Sequence, residues 1–296
     1  MSPRYHMPRS VSEAVEILSS VPGALPIAGG TDIMVRMRPG VPGGGQDVPP
    51  ALVSLRHIPE LAAIEESDPG GALRIGAAVP LREVADNPTV KATLPALVEA
   101  IEVFGSPQIR NVATLGGNLG NASPAADSAP PLIAYGARVE ITGPDSTRRV
   151  PVEEFLTGPG RTALAPGEIV TAVTVGPRPT GERSTYLRQG RVRMDVALVG
   201  LATRLATDGV TCVDIRLAAG AVGPTPLRLT AAESLLRGSR LDPDTVARAA
   251  ARAEAEVSPI TDIRASEGYR RHLIGVFLRR SIARLTDPVS PQEGSS

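Results

Sequence analysis

The chain contains two stretches built around a Gly-Gly pair, PIAGGTD at residues 26–32 and TLGGNLGNASPAAD at residues 114–127. Each stretch also carries hydroxyl, amide or carboxylate side chains. Glycine has no Cβ atom, so its backbone adopts positive φ and comes close to a ligand, where successive N–H groups converge on an anion. One such stretch is a weak signal. Two of them, far apart in one chain, predict a large cofactor with two phosphates that is held from both sides.

The composition excludes several classes of protein. A formal net charge of +0 and an aromatic content of 2%, with no Trp, do not favour binding to nucleic acid. Cys212 is the only cysteine, so the chain cannot form an internal disulfide and lacks the thiolates that an iron–sulfur cluster needs. The three histidines, His6, His57 and His272, do not have the spacing of metal ligands. We therefore expect neither a metal site nor a nucleic-acid interface.

Nothing in the sequence predicts a membrane span or an export signal. No stretch approaches the run of about 18 apolar residues that crosses a bilayer. Residues 1–8 lack the apolar core of a signal peptide. We therefore expect a cytoplasmic protein. Its 296 residues, of which 42% are hydrophobic, suit one large or two modest domains.

The order of elements around the first stretch argues against a Rossmann nucleotide-binding fold. Ser10 and Glu13 form a capping box, and a helix with apolar spacing follows until Pro22 and Gly23 end it. A short predicted strand at residues 24–27 then leads into the glycines. This helix–strand–loop order differs from the strand–loop–helix unit, and no G-x-G-x-x-G motif precedes a helix.

The second half of the chain predicts an α+β unit. GPRPTG at residues 176–181 is the best candidate for a domain boundary, and strand-like runs follow at residues 196–205 and 213–219. Strands followed by helices are typical of this class. The predicted helices cover about residues 226–236, 243–257 and 266–285.

Further motifs follow the glycine stretches in a fixed order: EFLTGPG at residues 154–160, LAPGEI at residues 164–169 and RMDVALV at residues 193–199. Together with the two glycine stretches, this series resembles the FAD-binding medium subunit of the molybdenum hydroxylases. That is the family of xanthine dehydrogenase and carbon monoxide dehydrogenase. The resemblance covers nearly the whole chain, and an ordered series of this kind is hard to obtain by chance.

The resemblance implies an α+β fold in two domains. The first would be a two-part FAD-binding domain like those of PCMH and vanillyl-alcohol oxidase, and the second an antiparallel sheet with three helices. We place the FAD-binding domain at residues 1–177, with subdomains at about 1–56 and 57–177. The C-terminal α+β domain would cover residues 178–288, and residues 289–296 would form a disordered tail.

The resemblance also assigns contacts with FAD. The backbone of residues 27–32 is expected to hold the diphosphate, and Thr114 with its glycines to form a second clamp. Asn118 can offer an amide donor and an acceptor to sugar or flavin. Asp127 would accept hydrogen bonds from the adenosine side of FAD. The predicted contacts are Ile27, Ala28, Gly29, Gly30, Thr31, Asp32, Thr114, Gly116, Gly117, Asn118, Asn121, Ser123, Asp127, Ile169, Val170 and Arg188.

Several of these residues have a structural alternative. Asp32 also suits an Asx-turn or a helix cap, and Asp127 also suits the first turn of a helix that starts near Ala129. The strand at residues 169–170 is expected near the adenine, although it also reads as a core strand. Relatives often carry Thr where this chain has Asn121.

A third region is expected near the flavin itself. Relatives keep a basic residue before the DVA tripeptide, and the spacing leaves open which of Arg188, Arg191 and Arg193 fills that role; we choose Arg188. Val196 occupies the position where relatives place a residue over the flavin ring. It would act as a steric gate, so we predict no catalytic acid or base and no metal ligand.

The function implied by the resemblance is electron transfer. In the family, a large molybdopterin subunit hydroxylates the substrate, a small subunit carries electrons through [2Fe–2S] clusters, and FAD on the medium subunit receives them. NAD, a quinone or O2 then reoxidises the flavin. A single cysteine fits this division, and a dimer of heterotrimers is the family expectation. The AGGTD form of the first stretch favours xanthine dehydrogenase-like members.

Two other functions stay open at this point. A self-contained FAD oxidase or dehydrogenase would need its own base, for which Tyr135, Tyr186 and His272 are the candidates. Neither glycine stretch holds a His or Cys for a covalent flavin. A non-catalytic FAD-binding assembly subunit would bind flavin but pass no electrons to an acceptor.

Overall fold

The computed structural model describes residues 3–40, 48–66 and 71–287. The tail predicted at residues 289–296 lies outside them. Within the described ranges, no helix is long and apolar enough to cross a membrane.

The strands are short in the first half of the chain and longer in the second. They are β1 (Arg4–His6), β2 (Leu25–Ile27), β3 (Ala51–Ser54), β4 (Ile64–Glu66), β5 (Leu73–Gly76), β6 (Arg138–Thr142), β7 (Thr147–Pro151), β8 (Leu156–Gly158), β9 (Arg161–Thr162), β10 (Ile169–Val175), β11 (Arg183–Gln189), β12 (Val199–Thr207), β13 (Cys212–Gly220) and β14 (Leu227–Arg228).

The helices lengthen towards the C-terminus. They are α1 (Val11–Ser20), α2 (Ile33–Arg36), α3 (Leu81–Asp86), α4 (Pro88–Thr93), α5 (Pro95–Glu102), α6 (Pro107–Arg110), α7 (Leu115–Asn121), α8 (Ala129–Ala134), α9 (Val152–Phe155), α10 (Thr230–Leu236), α11 (Pro243–Glu256) and α12 (Glu267–Thr286), with a 3-10 turn at Pro59–Leu61.

A small parallel sheet opens the fold, in the order β1-β3-β2. α1 covers it with Ala14, Val15 and Leu18, which pack in one apolar cluster with Val53 of β3. The predicted start of this helix is confirmed, since the side chain of Ser10 accepts a hydrogen bond from the N–H of Glu13 at 3.2 Å. The carboxyl end of β2 then leads directly into the first glycine stretch.

A larger antiparallel sheet follows, in the order β4-β5-β10-β6-β7. Helices α5, α7 and α8 pack on it through fully buried residues such as Leu97, Leu115 and Leu132. Strand β5 ends at Gly76. The carbonyl of the next residue, Ala77, accepts a hydrogen bond from the N–H of Gly116 at 3.0 Å, which links the end of the strand to α7.

The C-terminal part is an antiparallel sheet in the order β11-β12-β13-β14, covered on one face by α10, α11 and α12. Ala202 and Ala218, on this sheet, belong to the same buried cluster as α8, so the two parts of the chain share a core. The predicted class is confirmed: the protein is α+β, and its C-terminal part is an antiparallel sheet with helices.

Residues 115–121 of the second glycine stretch form the helix α7, although two adjacent glycines favour a loop. Thr114 is the N-cap of α7, and its hydroxyl oxygen accepts a hydrogen bond from the N–H of Gly117 at 3.0 Å. Leu115 and Leu119, four residues apart, are both fully buried. The cap and this buried pair therefore outweigh the low helix propensity of the glycines.

Two glycines are required for contact between segments of the chain. A Cβ atom on Gly29 would lie 2.0 Å from the carbonyl oxygen of Val112, and one on Gly116 would lie 2.7 Å from that of Ala77. Gly30 has φ +73°, a conformation that disfavours other residues. The glycine pairs thus let main chain pack on main chain beside the predicted site.

One carboxylate joins the two parts of the chain. Glu99 on α5 accepts hydrogen bonds from the N–H of Tyr186 at 2.7 Å and the hydroxyl of Thr185 at 2.8 Å. Its other oxygen accepts from Arg284 of α12 at 2.8 Å. This contact fixes β11 against the first domain, so the residues of β11 face it in a defined register.

Gly116→Ala is expected to destabilise the fold. The added methyl group would overlap backbone atoms of Ala77, so the free energy of unfolding should fall by about 1–3 kcal/mol. Gly120→Ala is the matched control in the same helix, because nothing lies within 4 Å of its Cβ position. Urea unfolding of both variants measures the difference, and equal midpoints would contradict the assigned backbone contact.

Candidate functional site

A cavity lies between the first glycine stretch, α7 and the start of β10, with a volume of about 310 Å³. That is near the lower end of the range for ligand pockets. Phe104 and Arg36, which the sequence analysis did not select, also line it. The predicted contacts that line it are Ile27, Ala28, Gly29, Gly30, Thr31, Asp32, Thr114, Gly116, Gly117, Asn118, Asn121, Ile169 and Val170.

The first glycine stretch presents unused hydrogen-bond donors. Within the described chain, the backbone N–H groups from Gly29 to Asp32 donate to no protein acceptor. These four consecutive groups line the cavity. Unpaired N–H groups in a concave backbone are typical of an anion site, because several donors can converge on one negatively charged acceptor. The residues present therefore fit a diphosphate at this wall.

The second glycine stretch differs, because its N–H groups are already bonded within the chain. The N–H of Leu115 donates to Val79 at 3.2 Å and that of Gly116 to Ala77 at 3.0 Å, while Gly117 donates to the Thr114 cap. α7 therefore contributes surface and side chains to the cavity rather than backbone donors.

Asn118 is held in one orientation. Its Oδ1 accepts a hydrogen bond from the hydroxyl of Ser128 at 2.6 Å, and both side chains are buried. With the oxygen engaged, the Nδ2 amide is the polar group that Asn118 can present to the cavity it lines. Ser128 thus supports the site from behind, a role that the sequence analysis missed.

A polar bridge crosses from the first stretch to α7. Nδ2 of Asn121 donates to Oδ1 of Asp32 at 3.2 Å, and Oδ1 of Asn121 accepts from Arg36. Asp32 occupies the N-cap position of α2 without a side-chain capping bond. The Asx-cap alternative therefore does not describe Asp32, whose side chain pairs with Asn121 while the residue lines the cavity; its contact with the cofactor stays a prediction.

Three predicted contacts, Ser123, Asp127 and Arg188, do not line this cavity. Oδ1 of Asp127 accepts hydrogen bonds from the hydroxyl of Tyr186 at 2.8 Å and from Nε of Arg188 at 2.9 Å. Ser123 caps its own turn, with its hydroxyl oxygen accepting from the N–H of Ala125 at 3.3 Å. A second cluster therefore exists beside the cavity, centred on Asp127.

Burial dominates the titration behaviour of this cluster. It raises the pKa of Asp127 above its usual value, although Arg188 and the bond from Tyr186 act in the opposite direction. Burial raises the pKa of Tyr186 well above its usual value, and the neighbouring carboxylate adds to that rise. Tyr186 therefore remains a hydrogen-bond donor at neutral pH.

The segment after β11 carries the predicted gate. Arg188 has a side chain only 7% exposed and donates a second hydrogen bond to the backbone carbonyl of Asp195. Arg191 is exposed and pairs with the Asp195 carboxylate at 2.6 Å, and Arg193 is exposed. Of the three arginines, Arg188 is thus the buried one that reaches Asp127. Val196 is 46% exposed and does not line the cavity.

Tyr186 is the main site residue that the sequence analysis did not assign to the cofactor. A signal was present in the sequence. Tyr186 and Arg188 are two residues apart on one strand, and such residues point to the same face. Once Arg188 is assigned to the side of the strand that faces the cofactor, Tyr186 is assigned to the same side. Within the described residues, no group of three or more His, Cys, Asp or Glu side chains could hold a metal ion.

Comparisons with known proteins agree with this geometry. Residues 1–179 match the family described as the FAD binding domain in molybdopterin dehydrogenase, and residues 184–285 match the CO dehydrogenase flavoprotein C-terminal domain. The chain is 33% identical over 281 residues to the xanthine dehydrogenase FAD-binding subunit of Escherichia coli O157:H7, with 94% of each chain covered. It is 34% identical over 281 residues to the carbon monoxide dehydrogenase medium chain of Afipia carboxidovorans, with 95% of each covered.

A solved structure extends the likeness to three dimensions. The reconstituted CO dehydrogenase from Oligotropha carboxidovorans matches with a TM-score of 0.92 and 32% identity, over 98% of this chain and 99% of that one. The fold and site thus define a flavoprotein component of an oxidoreductase, with FAD as its cofactor. The chain belongs to the FAD-binding medium subunits of the molybdenum hydroxylases, the xanthine dehydrogenase and carbon monoxide dehydrogenase family.

Gly117→Val is expected to abolish FAD binding while the chain stays folded. Its Cβ would lie 2.9 Å from the Thr114 hydroxyl, and the rest of the side chain would occupy the cavity. Gly176→Val is the matched control, since Gly176 is exposed and nothing lies within 4 Å of its Cβ position. Flavin content after purification and circular dichroism measure both properties. Stoichiometric FAD in Gly117→Val would contradict a role for α7 in the cofactor site.

Proposed function

We propose that this chain carries electrons from [2Fe–2S] clusters on a small partner subunit to an external acceptor, NAD, a quinone or O2. A large molybdopterin subunit would oxidise the substrate. When bound, FAD supplies the redox chemistry, and the protein binds and orients it. We further propose a cytoplasmic dimer of heterotrimers, with domains at residues 1–177 and 178–288.

One observation carries the proposal: the run of unpaired N–H groups from Gly29 to Asp32 along a cavity. Four donors in one concave wall suit the charge of a diphosphate better than a neutral ligand. The Nδ2 amide of Asn118 would add a donor from α7. Ile169 and Val170 supply an apolar wall at the start of β10, which suits a base.

The cavity holds only part of an extended dinucleotide. Its volume of about 310 Å³ suits the diphosphate and its neighbours. The remainder would extend past the second cluster, where Asp127 and Arg188 meet the segment that carries Val196. This route explains why the predicted contacts divide into two groups rather than one.

The number of cysteines supports the proposal that a separate subunit carries the iron–sulfur clusters. Cys212 is the only cysteine in the chain and is buried on β13, where burial raises the pKa of its thiol to about 11. A neutral, buried thiol is neither a cluster ligand nor a flavin attachment point. The proposed iron–sulfur clusters would therefore reside on another subunit.

A self-contained oxidase is disfavoured by the side chains that could act as its base. Tyr135 bonds Ser184 at 2.6 Å, and burial raises its pKa to about 12. Tyr186 is buried against Asp127, and burial raises its pKa well above the usual value. His272 is exposed on α12 and does not line the cavity. None of the three can remove a proton from a substrate in the cavity near neutral pH.

The substrate of the complex does not follow from this chain. Its identity to the relative named for xanthine is 33% and to the relative named for carbon monoxide 34%, which does not separate the two. These identities therefore add no support to the prediction, made from the AGGTD form of the first stretch, of a xanthine dehydrogenase-like member. Substrate would bind a partner chain.

Affinity purification of the tagged chain from its own host tests the proposal. We expect FAD, molybdenum, iron and two partner chains to copurify, and native mass spectrometry should find two copies of each chain. Cys212→Ala is the control: iron per complex should stay unchanged, because the clusters are held elsewhere. FAD on a lone chain would favour the self-contained enzyme, and no flavin at all would contradict the proposal.

Acceptor reduction separates electron transfer from a purely structural FAD subunit. The purified complex is reduced with dithionite and mixed with NAD, a quinone analogue or O2 in turn. Return of the oxidised flavin spectrum with one acceptor supports electron transfer. A flavin that none of the three reoxidises on the time scale of turnover would favour the assembly subunit.

A further inference from the structure

The carboxylate of Asp127 is held through one of its two oxygens. Both the Tyr186 hydroxyl, at 2.8 Å, and Nε of Arg188, at 2.9 Å, donate to Oδ1. Oδ2 accepts no hydrogen bond from the described residues, and it is not among their fully enclosed unpaired atoms. Oδ2 is therefore an accessible acceptor on an otherwise buried carboxylate.

The fold reserves space for the Tyr186 hydroxyl. Gly200 on β12 pairs in register with Arg188, and a Cβ atom there would be 2.1 Å from the hydroxyl oxygen of Tyr186 and 2.8 Å from its ring. The neighbouring strand thus leaves a gap where the phenol reaches across to Asp127. The backbone of Tyr186 is fixed independently, through its N–H bond to Glu99 at 2.7 Å.

We propose that Tyr186 and Arg188 are positioning residues for the FAD site: they hold Oδ1 of Asp127 so that Oδ2 is offered to the hydroxyl groups of the cofactor. The inference rests on the proposed FAD site and adds two residues to it. This role does not require either side chain to touch FAD: Arg188 uses one donor on Asp127 and one on the Asp195 carbonyl, and three of its five donors have no partner assigned among the described residues.

Hydrogen bonds, joined by the peptide link between Asp127 and Ser128, connect the cavity wall with the gate segment. Ser128, next to Asp127 in the chain, bonds Asn118 in the cavity wall at 2.6 Å. Arg188 bonds Asp127 and then the carbonyl of Asp195, whose neighbour is Val196. The orientation of Asp127 and the position of the gate segment are therefore set by the same guanidinium group.

The electrostatic surroundings of Asp127 are simple. Among the described residues, Tyr186 and Arg188 on β11 are the titratable or charged groups that act on it. The elements packed beside it carry none: α7, α8 and the turn at residues 220–224 contain only apolar residues, glycines and uncharged amides. A change in the titration of Asp127 can thus be traced to these two side chains.

Tyr186→Phe in the full-length chain tests the proposal directly. Removing the hydroxyl should weaken FAD binding about tenfold, as expected when a charged acceptor loses one donor. Tyr135→Phe is the matched control, because Tyr135 is a buried tyrosine whose hydroxyl bonds Ser184 rather than Asp127. The dissociation constant is measured by titrating the deflavinated protein with FAD and following flavin fluorescence.

The pH dependence distinguishes positioning from general support of the fold. If ionised Asp127 accepts from FAD, affinity falls as pH drops through the pKa of Asp127. Tyr186→Phe removes a bond to the charged form, which raises that pKa, so the loss of affinity should begin at a higher pH than in the wild type. Asp127→Asn should remove the pH step, and Tyr135→Phe should leave its midpoint unchanged.

Arg188→Lys tests the second contact of the guanidinium group, its hydrogen bond to the carbonyl of Asp195. Lysine keeps the charge but cannot bond Asp127 and the Asp195 carbonyl in a fork. The segment around Val196 should then be cut faster by trypsin at the exposed Arg191 and Arg193, whereas Tyr186→Phe should be cut at the wild-type rate. Equal cleavage of wild type and Arg188→Lys would overturn the role of Arg188 in the gate segment.

The outcomes separate this inference from the proposed function. If the wild type binds FAD, and Tyr186→Phe binds it with the same affinity and the same pH midpoint, this inference is overturned but the proposed function is not. A loss of affinity in Tyr186→Phe that is uniform with pH and matched by Tyr135→Phe overturns it as well, because it indicates a structural effect. A wild-type chain without affinity for FAD overturns the proposed function and this inference together.

Discussion

Contact between two stretches of main chain determines the rest of the site. Gly29 meets the carbonyl of Val112, and Gly116 meets Ala77, so closely that any side chain there would overlap backbone atoms. Interiors packed at this density do not relax cheaply. One glycine of each pair therefore lets the segment after the parallel sheet, α7 and the antiparallel sheet pack closely together. The cavity lies beside this contact region.

Much of the fold could be predicted because its signals are local or belong to an ordered series of motifs. The N-cap at Ser10, the C-terminal helices and the α+β class are confirmed, as is FAD as the cofactor. The second half of the predicted capping box is wrong, since the Glu13 carboxylate accepts from the N–H of Arg9 and not from that of Ser10. The individual cofactor contacts stay predictions. Most of them line one cavity, which fits their assignment, while Ser123, Asp127 and Arg188 lie beside it.

The parts that could not be predicted depend on contacts between distant residues. A glycine-rich stretch suggests a loop, and α7 is helical because Thr114 caps it and buried leucines hold it. Likewise, the bond between Asp127 and Tyr186 joins two domains, and Glu99 aligns the strand that makes it. Local patterns contain no information about such pairings, although the two-residue spacing of Tyr186 and Arg188 placed them on one face.

The unpaired N–H groups from Gly29 to Asp32 also link cofactor supply to the amount of folded protein. A ligand that supplies acceptors to these groups binds the native state and not the unfolded chain, so it stabilises the fold. At a free FAD concentration a hundredfold above the dissociation constant, binding adds about 2.7 kcal/mol to the free energy of unfolding. In a cell short of flavin, more of this subunit is unfolded and open to proteolysis, so the pool of cofactor sets how much of it survives to be assembled.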